Sequence, residues 1–393
     1  MTSLSFGSLT PHYPPMEGIA AAAKDIEAQG LDFVCFGDQL QGTEPRTIMT
    51  PDIVPGPARA SKLQWTDAFL QCSLAASATS EVELSVFTDA TRRNPSILAQ
   101  TAITLDQISH GRFFLTVGAG EAKQFRPFGF TRSKPFLHLE EQLKILRRFF
   151  ECREPFRYDG PIWSIDDVCF DVGPYDAERS IPMVVMGGPG RAVEIASRHA
   201  DGWLCYLPAM GDADWYAQQV RTIREQRERD GRDPDTFRFM ITCLSIVAED
   251  EETIQRTCEN RIARWGAMVF VPGGKTWSRW GAKHPMGDDW YYSRDLEPNT
   301  WSREDALRVI DQVPPEVVRA SKFVGAPQEV AVQIQGYIDA GATHVRVGNY
   351  VSIVQDGSFG TSGAKRSNLT IETLAAVRER NGLGPFSPRT PTP

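Results

Sequence analysis

Several patterns are missing from this 393-residue sequence. The seven cysteines include no C-x-x-C pair, and their odd number supports neither a disulfide framework nor a zinc site. No apolar run approaches the roughly 20 residues that cross a bilayer, and the N-terminus lacks the basic and apolar regions of a secretion signal. We therefore expect a cytoplasmic protein without a metal ion or stable membrane insertion, in which most cysteines are buried thiols.

The charge balance indicates which kind of partner the protein is expected to bind. Acidic residues outnumber basic ones and give a formal net charge of -8, and no basic tract interrupts the chain. Binding of nucleic acid needs a concentrated positive surface and is not expected to be the main function. A small molecule is the expected partner.

One stretch, residues 82–129, indicates how the chain is built. Residues 83–88 are β-branched and apolar enough for a buried strand, and a helix is predicted to start at Asn94-Pro95, where a capping residue precedes proline. That helix ends at Gly111, and a second buried strand leads into the turn G-A-G-E. This strand–helix–strand order is the repeating unit of parallel α/β folds.

The same alternation recurs along the chain and gives eight strands, which predicts an α/β fold of the (β/α)8 TIM-barrel type. We expect one domain over residues 1–381 and a flexible, poorly packed tail at 382–393. Three insertions are predicted: a long loop at 41–62, a small hairpin at 153–180, and an aromatic-rich segment at 265–315.

A TIM barrel carries its active site at the C-terminal ends of its strands. Five stretches are predicted to lie there: 38–39, 85–89, 118–121, 187–190 and 205–208. Two of them are rich in glycine, which lets a ligand approach the backbone and leaves amide N–H groups able to bind anions. Since any barrel loop needs turn residues, each glycine pair taken alone is equally consistent with a plain turn.

Taken together, these stretches resemble a known family. The residues that carry the likeness are SVFTDATRRNPSILAQTAITLDQISHGRFFLTVGAGE, with GGP at 187–189 and ADGW at 200–203 downstream. They are similar to the luciferase-like superfamily of flavin- and F420-dependent oxidoreductases. Glu121 directly after G-x-G, and Gly37-Asp38 at the end of the second strand, resemble the branch that uses the deazaflavin F420.

Within that branch, two subgroups are the nearest in pattern: the F420-dependent glucose-6-phosphate dehydrogenases and the ketoreductases acting on phthiodiolone-type lipids. The second resembles this chain more, through TDATRRNP and the motifs HPMG at 284–287, DLEPNT at 295–300 and FVGAPQEV at 323–330. The likeness covers nearly the whole chain except the last dozen residues.

The resemblance implies a cofactor site. In the family, a nonprolyl cis peptide in the third strand forms a bulge behind the ring, and the matching bond is Ser85–Val86. Such a bond costs about 3–4 kcal/mol and persists only where its surroundings enforce it. Glu121 matches the family's proton donor or acceptor; the alternative is that it only caps the following turn. The positions expected to bind the cofactor are Asp38, Gln39, Ser85, Val86, Thr88, Gly118, Gly120, Glu121, Gly187, Gly188, Pro189 and Cys205.

Position 39 departs from the family. Strand two usually ends in Asp-His there, and the histidine takes part in proton transfer during alcohol oxidation, whereas this chain has Asp38-Gln39. Glutamine forms hydrogen bonds but cannot exchange a proton at physiological pH. Base-dependent oxidation is therefore in doubt, while carbonyl reduction with Glu121 or water as the acid stays open. The expected catalytic residues are Glu121, Gln39 and Asp38.

The sequence says less about the substrate than about the cofactor. After strand six the chain has Tyr206-Leu207-Pro208 where the glucose-6-phosphate enzymes place a lysine, which argues against a sugar phosphate. The aromatic insertion favours a large apolar substrate, although packing of the insertion onto the barrel or a partner subunit explains it equally well. The expected substrate contacts are His12, Trp277, Trp280, Lys283 and His284, and Arg92 or Arg93 is expected to meet the acidic tail of F420.

These observations predict a homodimeric F420-dependent oxidoreductase that passes hydride between the deazaflavin and a carbonyl or secondary alcohol, most simply as a ketoreductase. One alternative is an FMN-dependent monooxygenase of the same superfamily. The other is a catalytically silent barrel that only binds a cofactor or a partner, and Gln39 is the feature that favours it.

Overall fold

The computed structural model describes residues 4–54, 56–351 and 366–389. Eight parallel strands close into a barrel, which confirms the predicted TIM-barrel fold. An antiparallel hairpin and one short extra strand lie outside the barrel. The strands are β1 Ser5–Leu9, β2 Phe33–Gly37, β3 Glu83–Asp89, β4 Phe113–Gly118, β5 Phe156–Asp159, β6 Ser164–Val168, β7 Met183–Met186, β8 Gly202–Leu207, β9 Arg238–Val247, β10 Phe323–Gly325 and β11 His344–Asn349.

The barrel follows the order β1-β2-β3-β4-β7-β8-β9-β11, and pairing of β11 with β1 closes it. Strands β5 and β6 form the hairpin that was predicted between residues 153 and 180. Strand β10 was not predicted; it adds to β9 beside the closed barrel. Its three residues are too few to give a period-2 pattern of their own.

Helices surround the barrel. They are α1 Glu17–Ala28, α2 Gly56–Leu63, α3 Ala68–Ala78, α4 Pro95–Ile108, α5 Pro135–Glu151, α6 Arg191–His199, α7 Ala213–Arg229, α8 Glu251–Glu259, α9 Arg261–Phe270, α10 Lys275–Arg279, α11 Tyr292–Asp295, α12 Arg303–Asp311, α13 Pro315–Ala320, α14 Pro327–Asp339 and α15 Arg366–Arg380. The start of α4 illustrates the local chemistry, because the Asn94 side chain accepts from the Ser96 amide at 2.9 Å and proline occupies the next position.

Each barrel strand presents alternate side chains to two apolar regions. In β3, Val86 belongs to the large cluster between the strands and the helices, whereas Phe87 belongs to a small cluster inside the barrel with Phe33 and Phe114. The interior is therefore packed with side chains. A ligand site has to lie above this packing, at the mouth formed by the C-terminal ends of the strands.

Two insertions pack on each other. Ile48 and Val54 share an apolar cluster with Trp265 and Trp277, and the Trp265 indole N–H donates to the carbonyl of Thr43 at 3.0 Å. The first insertion was predicted to be a loop, but this is wrong in part, because α2 and a short 3-10 turn at Arg46–Ile48 lie within it. Contacts with the distant aromatic insertion stabilise this segment, and they cannot be read from its own Pro- and Gly-rich composition.

The chain after α15 lies against the N-terminal end of the barrel. The Phe386 ring meets the edge of Phe6 at 5.7 Å, and the Arg389 guanidinium donates to the Leu31 carbonyl at 3.0 Å and to the Asp32 carboxylate at 2.9 Å. The prediction of a poorly packed tail from residue 382 is therefore wrong as far as Arg389. Residues 390–393 lie outside the described part of the chain.

Candidate active site

An ammonium ion lies at the centre of a polar cluster at the mouth of the barrel. Lys123 Nζ is 2.7 Å from Glu121 Oε2 and 3.1 Å from the carbonyl oxygen of Gln41, and it also donates to Gln39 Oε1. The Lys123 side chain is almost fully buried, whereas Glu121 and Gln39 are partly exposed. The loops that follow β2 and β4 are therefore joined through one lysine, which the sequence reasoning did not identify.

Glutamine side chains complete the junction between these loops. Gln124 accepts from the Leu40 amide at 2.7 Å, and its own amide donates to Gln39 Oε1 and to the Gln41 carbonyl. Gln41 in turn donates to the Lys123 carbonyl at 2.6 Å. A 3-10 turn at Ala122–Gln124 directs Lys123 and Gln124 toward the loop after β2. The signal in the sequence was a lysine two positions after the family glutamate.

Asp38 lies in a separate ionic network beside this cluster. Its carboxylate accepts from the Thr88 hydroxyl at 2.6 Å and pairs with Arg92 at 3.0 Å, and Arg92 also pairs with Asp89. Neighbouring carboxylates raise the pKa of Arg92 despite its burial. Asp38 and Thr88 thus hold the ends of β2 and β3 together.

The two arginines expected to meet a cofactor tail have protein partners. Arg92 is buried in the network just described. Arg93 pairs with Asp67 at 2.9 Å and stacks its guanidinium over the Phe69 ring at 4.2 Å. Arg93 connects the end of β3 to α3, and Arg92 connects the ends of β2 and β3, so both guanidinium groups are engaged by protein partners.

The expected cis peptide at Ser85–Val86 is wrong. The cis bonds in the described part of the chain are Pro14–Pro15 and Leu207–Pro208. Strand β3 stays in continuous parallel register with both β2 and β4 through Ser85 and Val86, so nothing enforces a bulge. The Ser85 hydroxyl lies inside the barrel, 3.0 Å from that of Thr116. Val86 and Cys205 face the helices and do not reach the mouth.

The glycine turns after β4 and β7 differ in the physical reason for having glycine. A Cβ at Gly120 would lie 2.3 Å from the Phe125 ring at a φ of +84°, so the protein itself excludes a side chain there. At Gly188 a Cβ would meet nothing closer than Met210 Sδ at 3.7 Å. Packing does not explain Gly188, which fits a position where a ligand approaches the backbone. Gly118 lies next to this turn, because it pairs with Met186 across β4 and β7.

Aromatic and cationic side chains complete the walls of the barrel mouth. Burial, together with the Glu121 carboxylate, raises the pKa of Tyr292, which comes from α11 in the aromatic insertion. Burial also raises the pKa of Tyr206 at the end of β8, against the opposing effect of Arg346. Arg346 donates to the Thr242 hydroxyl at 2.8 Å inside the barrel, and its Nε has no hydrogen-bond acceptor. The insertion therefore contributes to the mouth through Tyr292, which was not among the expected site residues.

Two of the expected substrate contacts, Trp277 and His284, are buried within the aromatic insertion. Trp277 is completely buried, and His284 lies between it and Trp290. Both His284 nitrogens bind backbone groups, namely the Met268 carbonyl and the Met286 amide, and burial lowers the pKa of the ring. For Trp277 and His284 the packing explanation is therefore the correct one.

Three further expected contacts lie at the surface or in loops. Trp280 is partly buried against the same apolar cluster, and Lys283 is exposed. His12, in the loop after β1, stacks on Trp65 with ring centroids 3.8 Å apart. The stack is partly exposed.

Within the described ranges, no group of three or more His, Cys, Asp and Glu side chains is arranged to hold a metal ion. No helix of the described chain is both long and apolar enough to span a bilayer. All seven cysteines are free thiols, and five of them are buried.

Sequence comparison gives a family match over most of the chain. The model of the family described as luciferase-like monooxygenase matches residues 2–344. The phthiodiolone/phenolphthiodiolone dimycocerosates ketoreductase of Mycobacterium tuberculosis is 29% identical over 351 residues, which cover 87% of this chain and 89% of the relative. The F420-dependent glucose-6-phosphate dehydrogenase of Kineococcus radiotolerans is 27% identical over 336 residues, covering 83% and 85%.

Structure comparison gives the same fold. An F420-dependent secondary alcohol dehydrogenase in complex with an F420–acetone adduct superposes with a TM-score of 0.67 at 19% identity, covering 91% of this chain and 98% of its own. A riboflavin lyase with modified FMN superposes with a TM-score of 0.71 at 16% identity, covering 99% and 94%. At these identities the likeness concerns the fold.

Proposed function

Because the chain belongs to the luciferase-like monooxygenase family, we propose that it is an F420-dependent oxidoreductase that reduces a carbonyl group of an apolar substrate. The observation that carries the proposal is the arrangement at the mouth. Glu121 and Gln39, joined through Lys123, lie after β4 and β2, and the open backbone of Gly188 follows β7, the strand next to β4. A carboxylate, an amide and an accessible backbone turn are thus brought to one opening.

The relatives support the choice of cofactor and reaction. The ketoreductase and the glucose-6-phosphate dehydrogenase both cover more than four fifths of this chain, and the second is named for F420. The end of β8 argues against a sugar phosphate here, because Tyr206 and Leu207 offer no cation for a dianion. Tyr292 and Tyr206 instead give the opening an aromatic lining, which suits an apolar substrate.

The residues at the mouth fit a deazaflavin. Gly188, which follows the strand that pairs with Gly118, would let the cofactor approach the backbone, and Glu121 would face the reactive edge. When bound in its reduced form, F420 supplies a hydride to the carbonyl carbon. In its protonated form, Glu121 would give a proton to the oxygen of the resulting alkoxide, and the carboxylate left behind would take up a proton from solvent. The packed barrel interior and the insertion exclude bulk water from below and from one side.

Titration of the purified protein with F420 and with FMN, followed by fluorescence, tests the cofactor. We expect saturable binding of F420 and weak or no binding of FMN. Oxidation of reduced F420 is then measured with ketones of increasing chain length, and turnover is expected to rise with apolar length. Tight FMN binding with oxygen-dependent turnover would replace the proposal with a monooxygenase. Binding of F420 without turnover on any ketone or aldehyde would indicate a silent barrel.

A further inference from the structure

The hydrogen bonds of Gln39 determine which end of its amide faces the protein. Gln39 Oε1 accepts from Lys123 Nζ and from Gln124 Nε2. A lysine ammonium has three donors and no acceptor, so only the oxygen of the amide can face it. The orientation of an amide is usually ambiguous, because its oxygen and nitrogen look alike, but the lysine removes the ambiguity here.

Lys123 can take no other arrangement without losing a partner. Its ammonium group forms an ion pair with Glu121 Oε2 at 2.7 Å and donates hydrogen bonds to Gln39 Oε1 and to the Gln41 carbonyl. The side chain is almost fully buried, and a buried ammonium is tolerated only when it is paired and hydrogen-bonded. The Gln39 oxygen is therefore held in place by a buried cation that is itself fixed by two other partners.

The other end of the amide has no protein acceptor. Across the described residues, no hydrogen bond is made by Gln39 Nε2, and the side chain is partly exposed at the end of β2. This NH2 group is a fixed donor at the mouth, in the place where the family resemblance puts a histidine.

We propose that Lys123 is a positioning residue that holds the Gln39 amide with its NH2 group toward the substrate, so that Gln39 donates a hydrogen bond to the carbonyl oxygen being reduced. This inference rests on the proposed function. As hydride and its electron pair reach the carbonyl carbon, the π electrons of the C=O bond move to oxygen, which then takes a proton from Glu121. An oriented N–H donor stabilises this oxygen most when its negative charge is largest.

The arrangement also bears on which substrate oxygen Gln39 can recognise. Oxidation of an alcohol needs an acceptor for the hydroxyl proton, and an amide NH2 cannot accept one. Gln39 locked in this orientation therefore recognises a carbonyl oxygen and gives no assistance to removal of a proton. The substrate class that fits is a ketone or aldehyde.

Kinetics of the Lys123→Met and Gln39→Met variants, alone and combined, test the coupling. Removal of one oriented donor of this kind lowers turnover by about 10², so each single variant is expected to lose at least 10-fold in kcat for ketone reduction, with F420 affinity within threefold of wild type. In the Gln39→Met background, Lys123→Met should cost less than it does in wild type, because the part of its effect that passes through the amide is already lost and only the part that passes through its ion pair with Glu121 remains. Multiplicative losses, or loss of F420 binding in Lys123→Met, would overturn the proposal.

Lys322→Met is the matched control. Lys322 is also buried, but it contacts Ser321 and lies over the Tyr350 ring at 4.8 Å, away from Gln39 and Glu121. It should lower the melting temperature without a specific effect on kcat. If it reduces kcat as Lys123→Met does, the effect belongs to loss of any buried lysine, and the proposal fails.

A spectroscopic measurement decides the orientation without turnover. In protein labelled with ¹⁵N-glutamine, the Gln39 side-chain resonances are assigned by their disappearance in Gln39→Met. We expect Lys123→Met to shift them and to increase exchange between the two amide protons. Unchanged resonances would refute the positioning role even if wild-type protein proved inactive with F420, which would count against the proposed function alone.

Discussion

The substitution Glu121→Gln separates proton transfer from structure. Glutamine has almost the same shape and keeps one oxygen that can accept from Lys123 Nζ, which lies 2.7 Å from the carboxylate. What is lost is the acid–base group, because an amide cannot take up and release the proton as a carboxyl group does. General acid catalysis contributes about 10²–10⁴ in rate, so turnover should fall by at least about 10², or about 2.7 kcal/mol in the activation free energy.

Stability should change much less than turnover in Glu121→Gln. The Glu121 side chain is 21% exposed, so water already screens the pair in part. Replacing a charged acceptor by a neutral one is expected to cost about 1 kcal/mol in the free energy of unfolding. Binding of F420, measured by fluorescence, should stay within a few fold of wild type.

Glu83→Gln provides a control with the same chemical change. Glu83 is 30% exposed and pairs with Arg238 through two contacts of 2.8 and 2.9 Å, but it lies at the start of β3, at the far end of the barrel. It should reduce stability similarly and leave turnover intact. Wild-type turnover in Glu121→Gln, or an equal loss in Glu83→Gln, would refute the role of Glu121.

Three other regions give predictions. The new methyl group of Gly188→Ala meets no close atom, so this variant should keep its melting temperature while binding F420 about tenfold more weakly. Gly120→Ala should destabilise the fold, because its Cβ would lie 2.3 Å from the Phe125 ring at a positive φ. Equal stability losses in the two variants would show that Gly188 is a packing position. Burial lowers the pKa of His344 from 6.5 to about 3, so the folded state binds fewer protons than the unfolded state in this interval. The stability that the neutral His344 ring contributes is complete above pH 6.5 and is lost as the pH falls toward 3, by up to about 1.4 kcal/mol per pH unit. His344→Gln should therefore flatten the dependence of melting temperature on pH. An unchanged slope would exclude His344 as the source of that dependence. Phe386→Ala should lower the unfolding free energy by about 1–2 kcal/mol at normal turnover, and an unchanged melting temperature would show that the tail contributes nothing to stability.

The framework of the fold could be predicted because its signals are local. The strand predicted at residues 83–88 is β3, Glu83–Asp89, because a buried strand reads as an apolar run. Helix α4 begins at Pro95 as predicted, because its capping residue stands beside it in the sequence. The extra strand β10 and helix α2 were missed, because pairing with β9 and contacts with a distant insertion stabilise them.

For the candidate site, the sequence predicted only which strand ends form it, and not how the side chains there are arranged. Glu121 and Gln39 are brought together as the barrel topology requires, but the residue that joins them, Lys123, looks like a solvated surface lysine in the sequence. Conversely, Trp277 and His284 looked like ligand-binding groups and are buried within the insertion. Residue type suggests a possible chemistry, and only the tertiary contacts decide whether a side chain faces a ligand or another part of the chain.

The aromatic insertion reaches the mouth through Tyr292, while the glycine turns and Glu121 belong to the barrel itself. The residues proposed to act on the substrate oxygen and the segment that carries Tyr292 therefore belong to different parts of the chain. Exchanging residues around α11 for those of another barrel would present new surface to the substrate while leaving the strand ends untouched. Directed evolution of a new substrate range can therefore concentrate its libraries on this one segment, far along the chain from Glu121, the residue proposed to transfer the proton.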